Sequence, residues 1–256
     1  MVADLHLQRD QPAGVPPLAL TGERTLPDVP AENYWFRRHL AVYEWIATRV
    51  CGLRVVDLAC GEGYGAATLS RGAATVIGVD ANPDAHEHAR LRYTQPGLRF
   101  ERAMLERYGR PAMCDAVTLL QTIEHLHNPD DALRHLRGLL APGGTAYIST
   151  PNLLTIAPPG AEKSDNPWHL REYRADAFRE LCESVFASVE IYGVYHAGKL
   201  RAHDAALALG WDRIHRRLGL TAPFYERFTA SISSRDFQLT ARRPLYRALD
   251  FLAICR

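Results

Sequence analysis

Residues 55–65 read VVDLACGEGYG. An apolar strand through Leu58 runs into a Gly-rich turn, and a short helix follows to about Ser70. Gly61 and Gly63 lack Cβ, so the backbone there can turn sharply and approach a ligand closely. In open α/β sheets ligands bind beyond the carboxyl ends of the strands, which is where this turn stands. A tight strand–helix turn needs no ligand, however, and Gly61-x-Gly63-x-x-Ala66 also satisfies the dinucleotide fingerprint. Asp57 narrows the reading, because it sits inside the apolar strand and a buried carboxylate needs a partner. The ammonium group of a bound amino acid supplies one; a pyrophosphate would be repelled.

On either side the pattern alternates. Strands are expected at 54–59, 74–79, 98–101, 116–120 and 145–150, with helices between them. Asn82-Pro83-Asp84 and Asn128-Pro129-Asp130 each combine a cap, a first-turn proline and an acid, the signature of a helix start. Strands separated by helices mean crossovers and a parallel sheet. A helix is expected over 32–50, a long loop after Pro151 to about Arg171, a helix at 176–186 and a strand at 188–194. Residues 199–246 read as an amphipathic helical insertion, expected to cap the acceptor site, before a last strand at 249–255, and proline-rich residues 1–30 as an irregular lead-in. The expected fold is α/β and Rossmann-like: a mostly parallel seven-stranded sheet with helices on both faces. One domain spans 31–256, with its core at about 53–195.

The second strand ends in Asp80, suited to accept hydrogen bonds from two ribose hydroxyls. The fourth runs into LQTIEHL at 120–126, a polar cluster directly after buried residues and beside the first turn.

Residues 57–63, DLACGEG, resemble the first motif of the class I S-adenosylmethionine-dependent methyltransferases. Gly78-Val79-Asp80 resembles their second, residues 114–126 their fourth and residues 140–152, LAPGGTAYISTPN, their fifth. The resemblance implies that Asp57, Gly61 and Gly63 hold the methionine end of S-adenosylmethionine. It implies Asp80 on the ribose, Ala81 against the adenine and Gln121 near the sulfonium. One departure is Met104, where an acid for the adenine amino group is expected; backbone or Glu106 is left for that contact.

Over nearly its full length the chain is similar to the mycofactocin oligosaccharide methyltransferases. Residues 22–27 (GERTLP), 32–39 (ENYWFRRH), 80–90 (DANPDAHEHAR), 166–173 (NPWHLREY) and 219–228 (GLTAPFYERF) carry that resemblance. It implies O-methylation of a glucose unit, at the 2-hydroxyl. The runner-up acceptor is a quinone or other small aromatic. A nicotinamide-dependent dehydrogenase and a noncatalytic cofactor-binding protein are the readings from other classes.

A sugar hydroxyl is a poor nucleophile and benefits from a base. His125, after the fourth strand, and His169, on the loop expected to fold over the pocket, are the candidates, with His169 favoured. No metal is assigned; were one present, Glu124, Asp130 and Asp131 would be its ligands. Trp168, Tyr173 and Arg38 are assigned to the substrate, Trp168 by stacking on a sugar or ring face.

Composition excludes other classes. Thirty Lys and Arg against 29 Asp and Glu leave a net charge of +1, which draws the chain to no nucleic acid. No apolar run is long enough to span a bilayer. The N-terminus lacks a secretory pattern, and five scattered cysteines with no C-x-x-C pair suit a reducing cytoplasm. The oligomeric state is not legible.

Overall fold

The computed structural model describes residues 5–6, 12–22, 24–219 and 221–256. The rest of the lead-in lies outside the described residues, as do Glu23 and Leu220 of the segments quoted above. In chain order the strands are β1 (Leu5–His6), β2 (Leu18–Ala19), β3 (Arg54–Leu58), β4 (Thr75–Asp80), β5 (Leu98–Arg102), β6 (Cys114–Leu120), β7 (Leu140–Pro151), β8 (Val189–His196), β9 (Phe237–Thr240) and β10 (Asp250–Cys255). The helices are α1 (Asn33–Ala47), α2 (Tyr64–Leu69), α3 (Pro83–Arg92), α4 (Pro129–Leu139), the single turn α5 (Leu153–Ile156), α6 (Ala175–Glu183), α7 (Gly198–Ala208), α8 (Trp211–Arg217) and α9 (Thr221–Ser231).

Strands β3 to β10 form one sheet of eight, in the order β5-β4-β3-β6-β7-β10-β8-β9. Pairings from β5 to β7 are parallel; β10 is antiparallel to both β7 and β8. Successive side chains on a strand face opposite ways. Val56, Leu58, Val117, Leu119 and Ile148 thus join one core with Leu133 and Leu136 of α4 and Phe178 of α6. Val55, Val76, Ala116 and Tyr147 join a second core with Tyr43 and Ile46 of α1 and Leu69 of α2. The sheet is sandwiched, as an α/β domain requires.

The helix starts behave unequally. Asn82 caps α3, its side-chain oxygen accepting from the amides of Asp84 and Ala85 at 3.0 Å. Asn128 precedes α4 without a side-chain cap bond.

Two expectations need correction. The sheet has eight strands, because β9 falls within 199–246 and pairs antiparallel with β8. That segment is therefore helical only through Ser231, and then turns back to extend the sheet. Its last helix, α9, packs against α1, where Asn33 Nδ2 donates to the carbonyls of Thr229 and Ile232 at 2.7 and 3.1 Å. The described part of the lead-in holds β1, β2 and a single 3-10 turn at Pro30–Glu32, and its Leu18, Leu26 and Val29 form a small buried cluster.

Candidate active site

The strand order reverses at β3, whose neighbours are β4 and β6, and a cleft of about 890 Å³ opens there. Residues 59–62 after β3, 80–82 after β4 and 120–122 after β6 line it. The backbone is strained at two of these ends. Ala59 and Gln121 have φ of 54° and 50°, a left-handed conformation that costs a residue with a Cβ and clusters at functional sites.

The glycines of the turn do different work. Gly63, at φ 99°, begins α2, and a Cβ there would lie 2.8 Å from that of Ala89. Gly65, to which the sequence reading gave no role, lets α2 meet α1: a Cβ would fall 2.1 Å from the Tyr43 ring. Gly61 instead borders the cleft, and its amide donates to Asp80 Oδ2 at 2.8 Å. The amide of Asn82 donates to Asp80 Oδ1 at 2.9 Å. A carboxylate offers about four acceptor sites. Asp80 is thus fixed by two backbone bonds and keeps lone pairs for a ligand's hydroxyls.

Asp57 lies beneath the turn, fully buried and opposite Thr118 in the register. Its Oδ1 accepts from Thr118 at 2.5 Å and from Tyr43 at 3.2 Å. Oδ2 is buried without a partner among the described residues. Burial pushes this carboxyl up to about 7, despite the two hydroxyl donors. An orphaned buried carboxylate oxygen fits an ammonium group. Arg24 is the one Arg or Lys among the described residues lining the cleft, and the ideal Cβ at Gly61 lies 3.9 Å from its Cβ. Asp57 and Gly63 do not themselves line the cleft, whereas Arg24 and Asp80 do, and a cation beside a carboxylate with spare acceptor sites suits a ligand that carries a carboxylate and hydroxyls. Ala81 and Gln121 also line the cleft, and Ser149 Oγ fixes Gln121, accepting from its amide and Nε2 at 3.1 Å each. Neither Met104 nor Glu106 lines it.

At the other end of the cleft stand Glu124, His125 and His169, with Ser164, Asp165 and Asn166. His169 is buried, and its Nδ1 lies 2.7 Å from Glu172 Oε1. Although burial pushes the Glu172 carboxyl up, hydrogen bonds from Ser164 and His169 hold it below its ordinary value. An ionised carboxylate only accepts, so His169 carries its proton on Nδ1, and Nε2 accepts from Asn166 Nδ2 at 3.0 Å. His125 Nδ1 donates to the carbonyl of Trp168 at 2.9 Å, and the two imidazoles meet edge to face at 5.0 Å. The Glu124 carbonyl accepts from the amides of Leu170 and Arg171, pinning this loop to the end of β6. Burial pushes the Glu124 carboxyl up to about 8, with Thr150 Oγ1 donating to it at 3.1 Å. Burial lowers His39, on the α1 wall of the cleft, to about 4.

The three substrate assignments do not hold as read. Arg38 is buried and spends its donors on both oxygens of Asp250 and on the Leu249 carbonyl, tying α1 to the start of β10. Tyr173 is buried against Phe178, outside the cleft. Trp168 is 45% exposed, and its Nε1 donates to the Thr21 carbonyl at 3.1 Å, joining the loop to the lead-in rather than lining the cleft. The acids held ready for a metal are also elsewhere: Asp131 pairs with Arg134, and Asp130 accepts from Ser184. Among the described residues, none of the segment at 198–240 lines the cleft.

Sequence reasoning missed Glu172, Asn166 and Arg24. The first two sit at three-residue spacing on either side of His169, a pattern visible in NPWHLRE only once a turn is assumed.

Comparison with known proteins agrees with this geometry. A methyltransferase domain family matches residues 24–194. A protein of Mycolicibacterium smegmatis, described as a probable S-adenosylmethionine-dependent methyltransferase, is 38% identical over 93% of this chain and 94% of its own. A ubiquinone biosynthesis O-methyltransferase of Aeromonas salmonicida is 32% identical over 43% of this chain and 49% of its own. In fold, the chain is similar to an S-adenosylmethionine-dependent methyltransferase of Thermotoga maritima, with a TM-score of 0.58 at 13% identity over 88% of this chain and 93% of that one. Among the described residues no helix is long and apolar enough to cross a membrane. The strand order, the turn after β3 and the near full-length relative converge: this chain belongs to the S-adenosylmethionine-dependent methyltransferases.

Proposed function

We propose that the chain methylates a sugar hydroxyl, the acceptor being a glucose of the mycofactocin oligosaccharide and the position its 2-hydroxyl. The observation that carries the sugar is the polar cluster at the acceptor end, where His125, His169, Ser164, Asp165 and Asn166 offer donors and acceptors to a hydroxyl-rich ring in a cleft that Pro151, Ile156 and Pro158 also line. S-adenosylmethionine supplies a methyl group on a positively charged sulfur. Asp80 receives the ribose hydroxyls, Asp57 and Arg24 the two charges of the methionine end, and Gln121 faces the sulfonium. His125 and His169 activate the acceptor hydroxyl, with Glu172 holding His169 in one tautomer. The acceptor oxygen would take the methyl group as the S–CH3 bond breaks with its electron pair staying on sulfur, and the hydroxyl's proton would leave to water by way of the His125–His169 pair. The leaving group is already good, so orientation and exclusion of water carry much of the rate.

A quinone or small aromatic acceptor is the second reading, favoured by the partial similarity to the ubiquinone enzyme. Incubation with methyl-labelled S-adenosylmethionine and either a glucose oligosaccharide of the mycofactocin type or a catechol-like quinol tests both. Label in the sugar is the expected result. Label in the aromatic alone would replace the first reading by the second.

A further inference from the structure

Three side chains at the acceptor end bring one ligand-capable atom each to a common point. The carboxylate of Glu124 and ring nitrogens of His125 and His169 all lie within 4.8 Å of one another. This set crosses the fold. Glu124 and His125 form one turn at the end of β6, whereas His169 stands on the loop that returns over the cleft.

We propose that Glu124, His125 and His169 bind one divalent transition-metal ion in the acceptor end of the cleft. This deepens the sugar-methylation reading and rests on it only for what the ion does, not for its binding.

The surroundings of the imidazoles carry the argument. A metal-binding histidine typically donates its second ring N–H to a carboxylate or a backbone carbonyl, which fixes the tautomer and aims the lone pair. Both histidines do so here. His169 Nδ1 is held by Glu172 at 2.7 Å, and His125 Nδ1 by the Trp168 carbonyl at 2.9 Å. The lone pair of each ring is thereby on Nε2. Glu172 is in turn held by the amide and hydroxyl of Ser164, so this outer support is two layers deep. A lone general base needs one such arrangement, not two converging ones with a carboxylate between them.

Two imidazoles and one carboxylate suit zinc, manganese or iron(II) better than calcium or magnesium, which prefer all-oxygen sites. Bonds of about 2.0–2.2 Å place ligand atoms roughly 3 Å apart, so the three must close up on binding. Asn166 Nδ2, which now donates to His169 Nε2, would give way to the ion. Three protein ligands leave positions open, as in catalytic metal sites. An acceptor hydroxyl in one of them would have its pKa lowered and release its proton to water, so that with an ion bound the two imidazoles activate the hydroxyl through the ion.

The test uses the full chain, stripped with EDTA and dialysed, and titrated separately with Mn2+ and Zn2+ by calorimetry. Mn2+ binding is followed in parallel by electron paramagnetic resonance. The expected result is saturable binding of one ion per chain. Affinity should fall by 100-fold or more in Glu124→Gln and His125→Ala, and by roughly 10- to 100-fold in Glu172→Gln, which removes only the outer partner. S-adenosylmethionine binding, measured on each variant, reports that the fold persists. Asp130→Asn, outside the cluster, should bind the ion as the parent does. Absence of saturable binding to the stripped parent would overturn the proposal, as would unchanged ion affinity in His125→Ala. Methyl transfer by the stripped protein separates the two readings. Undiminished turnover with no ion bound would remove the metal and leave sugar methylation standing. Ion binding without sugar methylation would do the reverse.

Discussion

The cofactor end of the cleft is lined mainly by residues 59–82, from consecutive elements joined by short turns, with Arg24 added from the lead-in. The acceptor end joins residues 121–125 to 164–172, segments separated by α4, β7 and α5. At the first end the positions are set by backbone: two amides fix Asp80, and tight glycine contacts seat α2. At the second they are set by side chains that hold one another, Glu172 on His169 and His169 against His125. The difference teaches where a mutation acts. Damage at the cofactor end should appear in nucleoside affinity, and damage at the acceptor end in turnover with nucleoside affinity intact.

The largest effect is expected at the acceptor end. His169→Ala should lower turnover at saturating acceptor roughly 100- to 10,000-fold, the usual range for a group that activates a hydroxyl. Affinity for S-adenosylmethionine, measured by calorimetry, should stay within about twofold. An equal loss in both measurements would mean that the two ends are not separable and that the contrast is false.

Asp57 sharpens the contrast through pH. Its carboxyl is raised from an ordinary 3.8 to about 7 by burial, so it favours the folded, ligand-free protein while protonated. That contribution is complete below pH ~4 and is lost as pH rises through about 7. A shift of about three units corresponds to about 4 kcal/mol. Asp57→Asn keeps an acceptor for Thr118 and Tyr43 and cannot ionise. Its melting temperature relative to the parent should therefore rise between pH 5 and pH 8, while its affinity for S-adenosylmethionine falls. The ligand's ammonium offsets the buried charge, so added S-adenosylmethionine should stabilise the parent more at pH 8 than at pH 5. A difference in melting temperature that stays flat with pH would show that Asp57 does not titrate as argued.

These expectations also mark how far the sequence could be read. The turn after β3, the end of β4 at Asp80 and the alternation of strands and helices along the chain were legible because each is written in neighbouring residues: a glycine spacing, a strand end, a capped helix start. Arg38 was misread because a polar residue on an amphipathic helix has no visible direction. Its partner, Asp250, lies 212 residues away. Tyr173 was misread by assuming that the whole loop faces the ligand, although the chain at Tyr173 already pairs with Asn152 and turns into the core. Strand β9 was hidden among helical spacings, since four residues at a sheet edge leave little alternation to detect. Arg24 escaped because nothing in a proline-rich lead-in indicates which wall it will cover.

A smaller loss is expected for Asp80→Ala. The ribose hydroxyls would lose charge-assisted hydrogen bonds worth about 1.5–3 kcal/mol, or roughly 10- to 150-fold in affinity. The amides of Gly61 and Asn82 would lose their acceptor as well, so the turn itself should loosen. Asp80→Asn separates the two effects, because it keeps an acceptor for at least one amide while removing the charge. It should fall between the parent and the alanine variant. Unchanged affinity in Asp80→Ala would mean that the ribose lies elsewhere.

The smallest effect is expected for Tyr173→Phe, and it tests a correction rather than an assignment. The Tyr173 hydroxyl is buried and finds no partner among the described residues, while its ring packs 6.0 Å from that of Phe178. A buried hydroxyl without a partner costs about 1–3 kcal/mol, so its removal gives back some of that cost while the ring contacts remain. The variant should melt at or slightly above the temperature of the parent, with a stability difference within about 1 kcal/mol. Turnover and acceptor KM should stay within about twofold, because no atom of Tyr173 lines the cleft. A tenfold rise in acceptor KM without loss of stability would return Tyr173 to the substrate. It would also mean that residues 170–173 turn toward the cleft when the acceptor binds, in which case the acceptor end is assembled by its ligand and the cofactor end is not.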